Sequence, residues 1–272
     1  MTYFDKFSLK GKTAIVTGGA GILGQNFCFG LAEAGARVAV VDINLQGAQQ
    51  VADEIKGQLE GEAKAFHCDL TSEQSVENMV EKVIAEFGTI DILHNNAAGK
   101  SSDLNAFFEP FEEYSLDQWK EIMGTNLDSM FLVAKHVGKI MIKQGTGGSI
   151  IQTSSIYGVM GPDNRIYEGS FYLNRQINTP AVYSASKAGV VGLTRYLATY
   201  WAKDNIRVNT ITPGGVESGQ NEMFLKNYGN RVPLGRMAKA EEMVGALIYL
   251  ASDASSYVTG QNIMIDGGLS AW

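Results

Sequence analysis

The chain has 272 residues, 45% of them hydrophobic and 19% charged, with a formal net charge of −7. That length fits one large α/β core, and an acidic balance without a Lys/Arg cluster excludes nucleic acid and anionic membrane surfaces as expected partners. No window approaches the roughly 18 apolar residues of a membrane span, the start "MTYFDKFSLKGK" has no signal-peptide core, and Cys28 and Cys68 stand far apart without CxxC spacing, so a cytoplasmic protein without disulfides is expected.

Short β-branched runs alternate with helix-length amphipathic stretches from end to end. "TAIVTG" (Thr13 to Gly18) precedes a helical pattern from about Ile22 to Glu33. "RVAVVD" (Arg37 to Asp42) follows, then a polar helix to about Lys56, "AKAFHCD" to Asp69, a helix from Glu73 to Phe87, and "IDILHNNA" from Ile90. Strands separated by helices of this length imply parallel βαβ units joined by right-handed crossovers. One domain spanning residues 1–272 is expected, a Rossmann-type, doubly wound parallel sheet of about seven strands with helices on both faces. Such sheets bind ligands beyond the carboxyl ends of their strands.

The next helix shows its face in Trp119, Ile122, Met123, Leu127, Met130, Val133, Val137, Ile140 and Met141, at three- and four-residue steps. Asn126 lies on the same stripe. Buried there, its amide must find partners, either in neighbouring backbone or at the floor of a site. "SIIQTSS" (Ser149 to Ser155) reads as a buried strand ending in two hydroxyls. In "TPAVYSASKAGVVGL", Tyr183 and Lys187 stand four apart, so on a helix they share a face. A nearby cation favours a phenolate and lowers its ordinary pKa near 10, which is one way to make a general acid/base of Tyr. Taken alone, such a pair more often means a solvated lysine beside a packed ring. "IRVNTITPGG" (Ile206 to Gly215), a helix from about Ala240 to Ala251 and a last strand "NIMIDGG" complete the chain. His67, His94 and His136 are isolated, and no metal-ligand spacing exists.

"TGGAGILG" (Thr17 to Gly24) follows a strand and opens a helix, the context of a dinucleotide fingerprint. Glycines there let backbone approach a pyrophosphate while the helix N-terminus offers unpaired N–H groups. Asp42 ends the next strand 24 positions beyond Gly18, near the offset of an acid that binds the ribose 2′-hydroxyl. A carboxylate there repels a 2′-phosphate, and no Arg or Lys directly follows it in "VDINLQ", so NAD(H) is expected over NADP(H).

These motifs, in this order, resemble the short-chain dehydrogenase/reductase family over nearly the whole chain: the glycine turn, Asp69 in "CDLT", "NNAAG" at Asn95 to Gly99, Asn126, Ser155, "YSASK" at Tyr183 to Lys187 and "PGGV" at Pro213 to Val216. The resemblance implies that Tyr183 is the proton donor or acceptor, that Lys187 lowers its pKa and bonds the nicotinamide ribose, that Ser155, rather than Ser154, bonds the reacting oxygen, and that Asn126 holds a water in a proton relay. It further implies a cofactor site of Gly18, Gly19, Gly21, Ile22, Leu23 and Gly24, with Asp42 and Ile43, Asp69 and Leu70, Asn95 and Ala97, and the segment carrying Pro213, Gly214, Val216 and Ser218. The chain departs from the family pattern with Ile22 at the usual middle glycine, an extra Gly21, and Ala98 where a glycine is common.

Ser155 and Tyr183 are 28 positions apart, against about a dozen in relatives, so an inserted substrate loop is expected at about 161–179, with a second at about 216–236. In the insertion Arg165 and Arg175, with Tyr167, Tyr172 and Asn174, are expected either to grip a polyhydroxylated or anionic substrate, alongside Tyr157, or to form a solvated loop or subunit contact. Small residues on the Tyr183 helix (Ala185, Ala188, Gly189, Gly192, Ala198) permit close helix packing, and the resemblance implies a homotetramer or homodimer. The expected activity is NAD-dependent interconversion of a secondary alcohol and a ketone on a small polar substrate, a sugar, sugar acid or surface-carbohydrate precursor. The alternatives are a 3-oxoacyl reductase and a non-catalytic NAD-binding sensor or scaffold.

Overall fold

The computed structural model describes residues 2–101, 103–172 and 175–272. Seven parallel strands form the central sheet: β1 (Thr13–Thr17), β2 (Arg37–Asp42), β3 (Ala63–His67), β4 (Ile92–Asn95), β5 (Gly148–Thr153), β8 (Ile206–Pro213) and β9 (Asn262–Ile265), in the order β3-β2-β1-β4-β5-β8-β9. Two short strands, β6 (Phe171–Tyr172) and β7 (Arg175–Gln176), pair antiparallel apart from it. The order reverses between β1 and β4, so a crevice opens beyond their carboxyl ends.

The strand side chains alternate between two cores. Ala14 and Val16 of β1, with Val38 and Val40 of β2, pack under α1 (Ile22–Glu33), α2 (Leu45–Leu59) and α9 (Val244–Ala251). Ile15, Ala39 and Val41 face the other way, under α3 (Glu73–Phe87), α6 (Ser129–Gln144) and α7 (Ala181–Tyr200). A strand covered on both faces is apolar along most of its length, with buried hydroxyls such as Thr13 and Thr17 only at its ends, and each fully buried aliphatic side chain stabilises by roughly 1.5–3 kcal/mol. Asn44, Ser72 and Ser115 accept backbone N–H groups and start α2, α3 and α5 (Leu116–Met123); Gly88 and Gly145, in left-handed backbone, end α3 and α6. Two further helices, α4 (Leu104–Phe107) and α8 (Glu222–Gly229), lie over the crevice side.

The stripe from Trp119 to Met141 is not one regular helix. Between α5 and α6 the backbone widens into a π turn over Gly124–Asp128, where Ser129 N–H bonds to Gly124 C=O five residues back. The extra residue per turn swings Asn126 fully inward without breaking the apolar seam on either side.

Among the described residues, no helix is long and apolar enough to cross a membrane, and no cluster of His, Cys, Asp and Glu is placed to hold a metal. His94 sits in the core with Nε2 2.9 Å from Thr153 Oγ1, and burial pushes its pKa down to about 3, so it is a neutral structural group. Cys28 and Cys68 are free and buried, and burial pushes both thiols up, which leaves them unreactive.

Candidate active site

A cavity of ≈ 710 Å³ runs along the carboxyl ends of the strands, from the turn after β1 to the start of α7. At one end is the glycine turn, where helix α1 begins with no acidic residue in its first turn, so its unpaired N–H groups keep their partial positive charge. Gly24 fixes how close that turn and helix lie: a Cβ there would stand 1.9 Å from the Gly18 carbonyl oxygen. Gly24→Ala is therefore expected to push the turn out of place and weaken dinucleotide binding by tenfold or more, with a lower melting temperature, measured by NADH fluorescence titration and thermal melts.

Asp42 lies at the cavity wall with its two oxygens accepting Ala20 N–H at 3.0 Å and Asn44 N–H at 2.9 Å. These bonds fix the carboxylate and leave lone pairs for a ligand hydroxyl. Asp69 lies further along, and the Thr71 hydroxyl, 2.7 Å away, holds its carboxyl below the ordinary value. At the other end Ser155, Tyr183 and Lys187 meet beside Pro213, Gly214 and Val216.

The two hydroxyls that end β5 have different tasks. Ser154 Oγ donates to the Lys187 carbonyl at 2.7 Å and pins β5 to α7, whereas Ser155 stands in the cavity with a hydrogen bond to the Tyr183 phenol. Lys187 is 2% exposed, with Nζ donating to Thr153 C=O at 3.1 Å. Its ammonium stands 6.0 Å from the Tyr183 ring centroid. Burial pulls the Lys187 pKa down to about 8, while burial also raises the Tyr183 phenol against the opposing pull of Ser155. In the protein alone, burial is the largest influence on both groups, and Ser155 is the neighbour that favours the phenolate.

Asn126 Oδ1 accepts Gly99 N–H at 2.8 Å, and its Nδ2 is buried without a partner. A buried amide donor held at the cavity floor calls for a water or ligand acceptor, since leaving it unmade costs about 1–3 kcal/mol.

Most of the expected cofactor positions line the large cavity: Gly18, Gly21, Ile22, Leu23, Gly24, Asp42, Ile43, Asp69, Leu70, Ala97, Pro213, Gly214 and Val216. Three do not. Gly19 turns toward β2, where its N–H bonds Val41 C=O and a Cβ would meet Val40 at 2.7 Å. Asn95 faces away from the cavity, donating from Nδ2 to Met130 C=O at 2.8 Å, and so ties β4 to α6. Ser218 is exposed, with its N–H bonded to Gln220. Asn96, next in the chain, lines the cavity instead, and Thr17 Oγ1, buried behind it, accepts the N–H groups of Asn96 and Ala97 and shapes the wall there. A threonine ending β1 was the available signal.

Of the substrate positions, Ser155 and Tyr157 line a second cavity that adjoins the first at Tyr183. Arg165 does not: it is 72% exposed and pairs with Asp163 at 2.8 Å, as does Arg231. Asn174 and the side chains of Tyr172 and Arg175 lie outside the described residues.

A family model described as enoyl-(acyl carrier protein) reductase matches residues 20–270. D-threitol dehydrogenase of Mycolicibacterium smegmatis is 36% identical over 273 residues, covering 97% of this chain and 95% of that protein. A solved short-chain type dehydrogenase/reductase from Mycobacterium marinum superposes with a TM-score of 0.86 at 36% identity, covering all of both chains. This chain belongs to the short-chain dehydrogenase/reductase family. A gluconate 5-dehydrogenase of Burkholderia cenocepacia, solved with NADP and tartrate, is a further member with the same fold, at a TM-score of 0.87 and 31% identity over the full length of both chains.

As a short-chain dehydrogenase/reductase, the protein interconverts an alcohol and a ketone with a nicotinamide dinucleotide, which supplies the hydride acceptor or donor when bound. Its own residues fit that group: bare helix N–H groups for phosphate, a fixed carboxylate for a ribose hydroxyl, and an orphaned amide and a buried ammonium at the reacting end. Ser155 and Tyr183 stand together at this end of the cavity, two hydroxyls that can hydrogen-bond a single oxygen and exchange a proton with it.

Proposed function

We propose that the protein is an NAD(H)-preferring dehydrogenase acting on a secondary alcohol or ketone of a sugar or polyol, with Tyr183 exchanging the proton, Ser155 orienting the reacting oxygen, Lys187 binding the ribose and Asn126 holding a relay water. The observation that carries it is the continuity of one cavity from Gly18 and Asp42 to Ser155, Tyr183 and Lys187. The kinship with a D-threitol dehydrogenase supports the substrate class. The test is NADH formation from a panel of alditols, sugars and sugar acids.

The coenzyme preference rests on Asp42, whose carboxylate would meet the extra phosphate of NADP with no basic side chain paired to it among the described residues. Two like charges near a protein surface repel by up to about 4 kcal/mol at ~4 Å. NADH is therefore expected to bind at least tenfold more tightly than NADPH, and Asp42→Ala to narrow that ratio severalfold. Tighter binding of NADPH by the unaltered protein removes this part of the reading.

The kinship with a 3-oxoacyl-(acyl-carrier-protein) reductase of Thermotoga maritima, 37% identical over 265 residues, keeps a second reading in view, reduction of an acyl ketone. The same panel with an acyl ketone added decides between them. We further propose a cytoplasmic homotetramer or homodimer, supported by the two free, buried cysteines and by Tyr196 and Tyr200, which stack with ring centroids 5.6 Å apart yet are 62% and 58% exposed. Light scattering of the purified protein gives the assembly size.

A further inference from the structure

The second cavity, ≈ 320 Å³, adjoins the first at Ser155 and Tyr183 and lies where the substrate carbons beyond the reacting one must go. Its aromatic walls belong to two separate apolar clusters, Phe107 and Phe108 in one, Tyr167, Phe224 and Tyr228 in the other. Phe224 and Tyr228 stand on α8, and Tyr228 accepts the Gly215 N–H from a segment next to both cavities. A helix of eight residues is not stable by itself in water, so its place over the crevice is set by what it touches.

One face of α8 is turned to the inserted segment. Four positions of the helix and its flanks, three or four residues apart, meet that segment between Ser170 and Asp163. Asn221 caps the helix by accepting the Phe224 N–H at 2.9 Å, and from Nδ2 it donates to Ser170 Oγ at 2.9 Å. Phe224 packs its ring on Tyr167 at a centroid distance of 5.6 Å. Asn227 donates from Nδ2 to the Glu168 carbonyl at 2.9 Å, and Arg231 Nε stands 2.8 Å from an Asp163 oxygen. Ser170, Ile166 and Tyr167 are all buried in this contact.

The far end of the insertion reaches the opposite wall. Asn178 donates to the Phe108 carbonyl at 3.3 Å, and the neighbouring Thr179 hydroxyl is bonded to the Tyr167 hydroxyl. The path from α8 through Phe224, Tyr167, Thr179 and Asn178 to Phe108 therefore crosses the cavity from one aromatic cluster to the other. We propose that the insertion is a brace that sets the width of the substrate pocket, with Asp163, Ser170 and Asn227 as positioning residues that act on substrate through α8 without touching it. A wall fixed from behind cannot shift to fit a longer or shorter molecule, so the brace makes the enzyme selective for substrate length. This deepens the proposed oxidoreductase reading and rests on it.

The test measures NADH formation from alditols of three to six carbons by the wild-type protein, Ser170→Ala, Asn227→Ala and Arg165→Ala, with amide hydrogen exchange, NADH binding and thermal melts alongside. Ser170→Ala and Asn227→Ala are expected to speed exchange in α8 by about tenfold or more while α1 and α7 exchange as in the wild type. The same two variants are expected to raise KM for the best alditol by about five- to twentyfold, with kcat and NADH affinity within about threefold, and to narrow its advantage over the next chain length severalfold. Arg165→Ala removes an exposed side chain that makes no contact with α8, and it is expected to leave exchange and KM within about twofold of wild type. Unchanged exchange in α8, or faster exchange with KM and length selectivity kept, overturns the brace. So does a joint fall of kcat, NADH binding and melting temperature, which marks a merely structural role, and so does a KM rise confined to Arg165→Ala, which marks a direct grip on substrate. Each of these leaves wild-type turnover and the oxidoreductase reading intact; no NADH from any alcohol overturns both.

Discussion

Replacing Tyr183 by Phe lowers turnover by about 10²–10⁴-fold while NADH still binds with its wild-type affinity. The ring stays, so the first turn of α7 and the cavity wall stay, and only the hydroxyl proposed to exchange a proton with the substrate oxygen is lost. The same phenol sets the direction of the pH dependence. Burial holds its pKa above 10, so the acid form predominates at neutral pH. Ketone reduction needs that acid form and is expected to fall as the phenol ionises; alcohol oxidation needs the base form and is expected to climb with pH through the alkaline range. Steady-state rates in both directions between pH 6 and 10 test this, and profiles that rise and fall together would assign the proton to another group.

Replacing Lys187 by Met abolishes turnover to a similar degree but makes the protein more stable at neutral pH. The ammonium is 2% exposed, has no carboxylate partner among the described salt bridges, and is held at about 8 instead of its ordinary 10.5 by burial. Between those two values the unfolded chain binds a proton that the folded chain has released, so stability rises with pH across this window, and the cost of burying the cation is present in full below about pH 8. A shift of that size corresponds to about 3 kcal/mol. Met removes this cost but leaves the Thr153 carbonyl without its Nζ–H donor, which returns about 1–3 kcal/mol. The expected net effect is a melting temperature a few degrees higher at pH 7, with the advantage over wild type shrinking toward pH 10. A variant equally destabilised at every pH would show that Lys187 is held mainly by packing. Such a cation, costly to the fold, is what a group retained for chemistry looks like.

The fold was legible because the centres of β1 (Ala14 to Val16) and β2 (Val38 to Val41) are unbroken apolar runs while the intervening stretches repeat every three or four residues, a contrast expected of a sheet covered on both faces. Asp42 and the Tyr183–Lys187 pair were legible because strand end and helix period fix their directions. The parts that escaped depend on how segments meet. Asn95 and Asn96 are adjacent and alike, and only the register of β4 against β1 decides that Asn95 points to Met130. Arg165 reads as an anion grip in isolation, yet Asp163, two residues earlier, claims it, and Arg231 joins the same carboxylate from a segment far along the chain. Asn178 carried no signal at all, because its unpartnered oxygen arises from the place where the insertion meets Phe108. The π turn that aims Asn126 was hidden for a related reason: its extra residue keeps the apolar stripe nearly in phase.

The most direct test of the central claim, that one cavity joins a dinucleotide site to a Tyr183-centred alcohol site, is NADH formation from NAD⁺ and alditols by the wild-type protein with Tyr183→Phe alongside. The expected result is steady NADH production by the wild type and a loss of at least a hundredfold in the variant, with coenzyme binding equal in both. Turnover that survives the Tyr183→Phe change, or tight NADH binding with no turnover by the wild type on any alcohol or ketone, would contradict it.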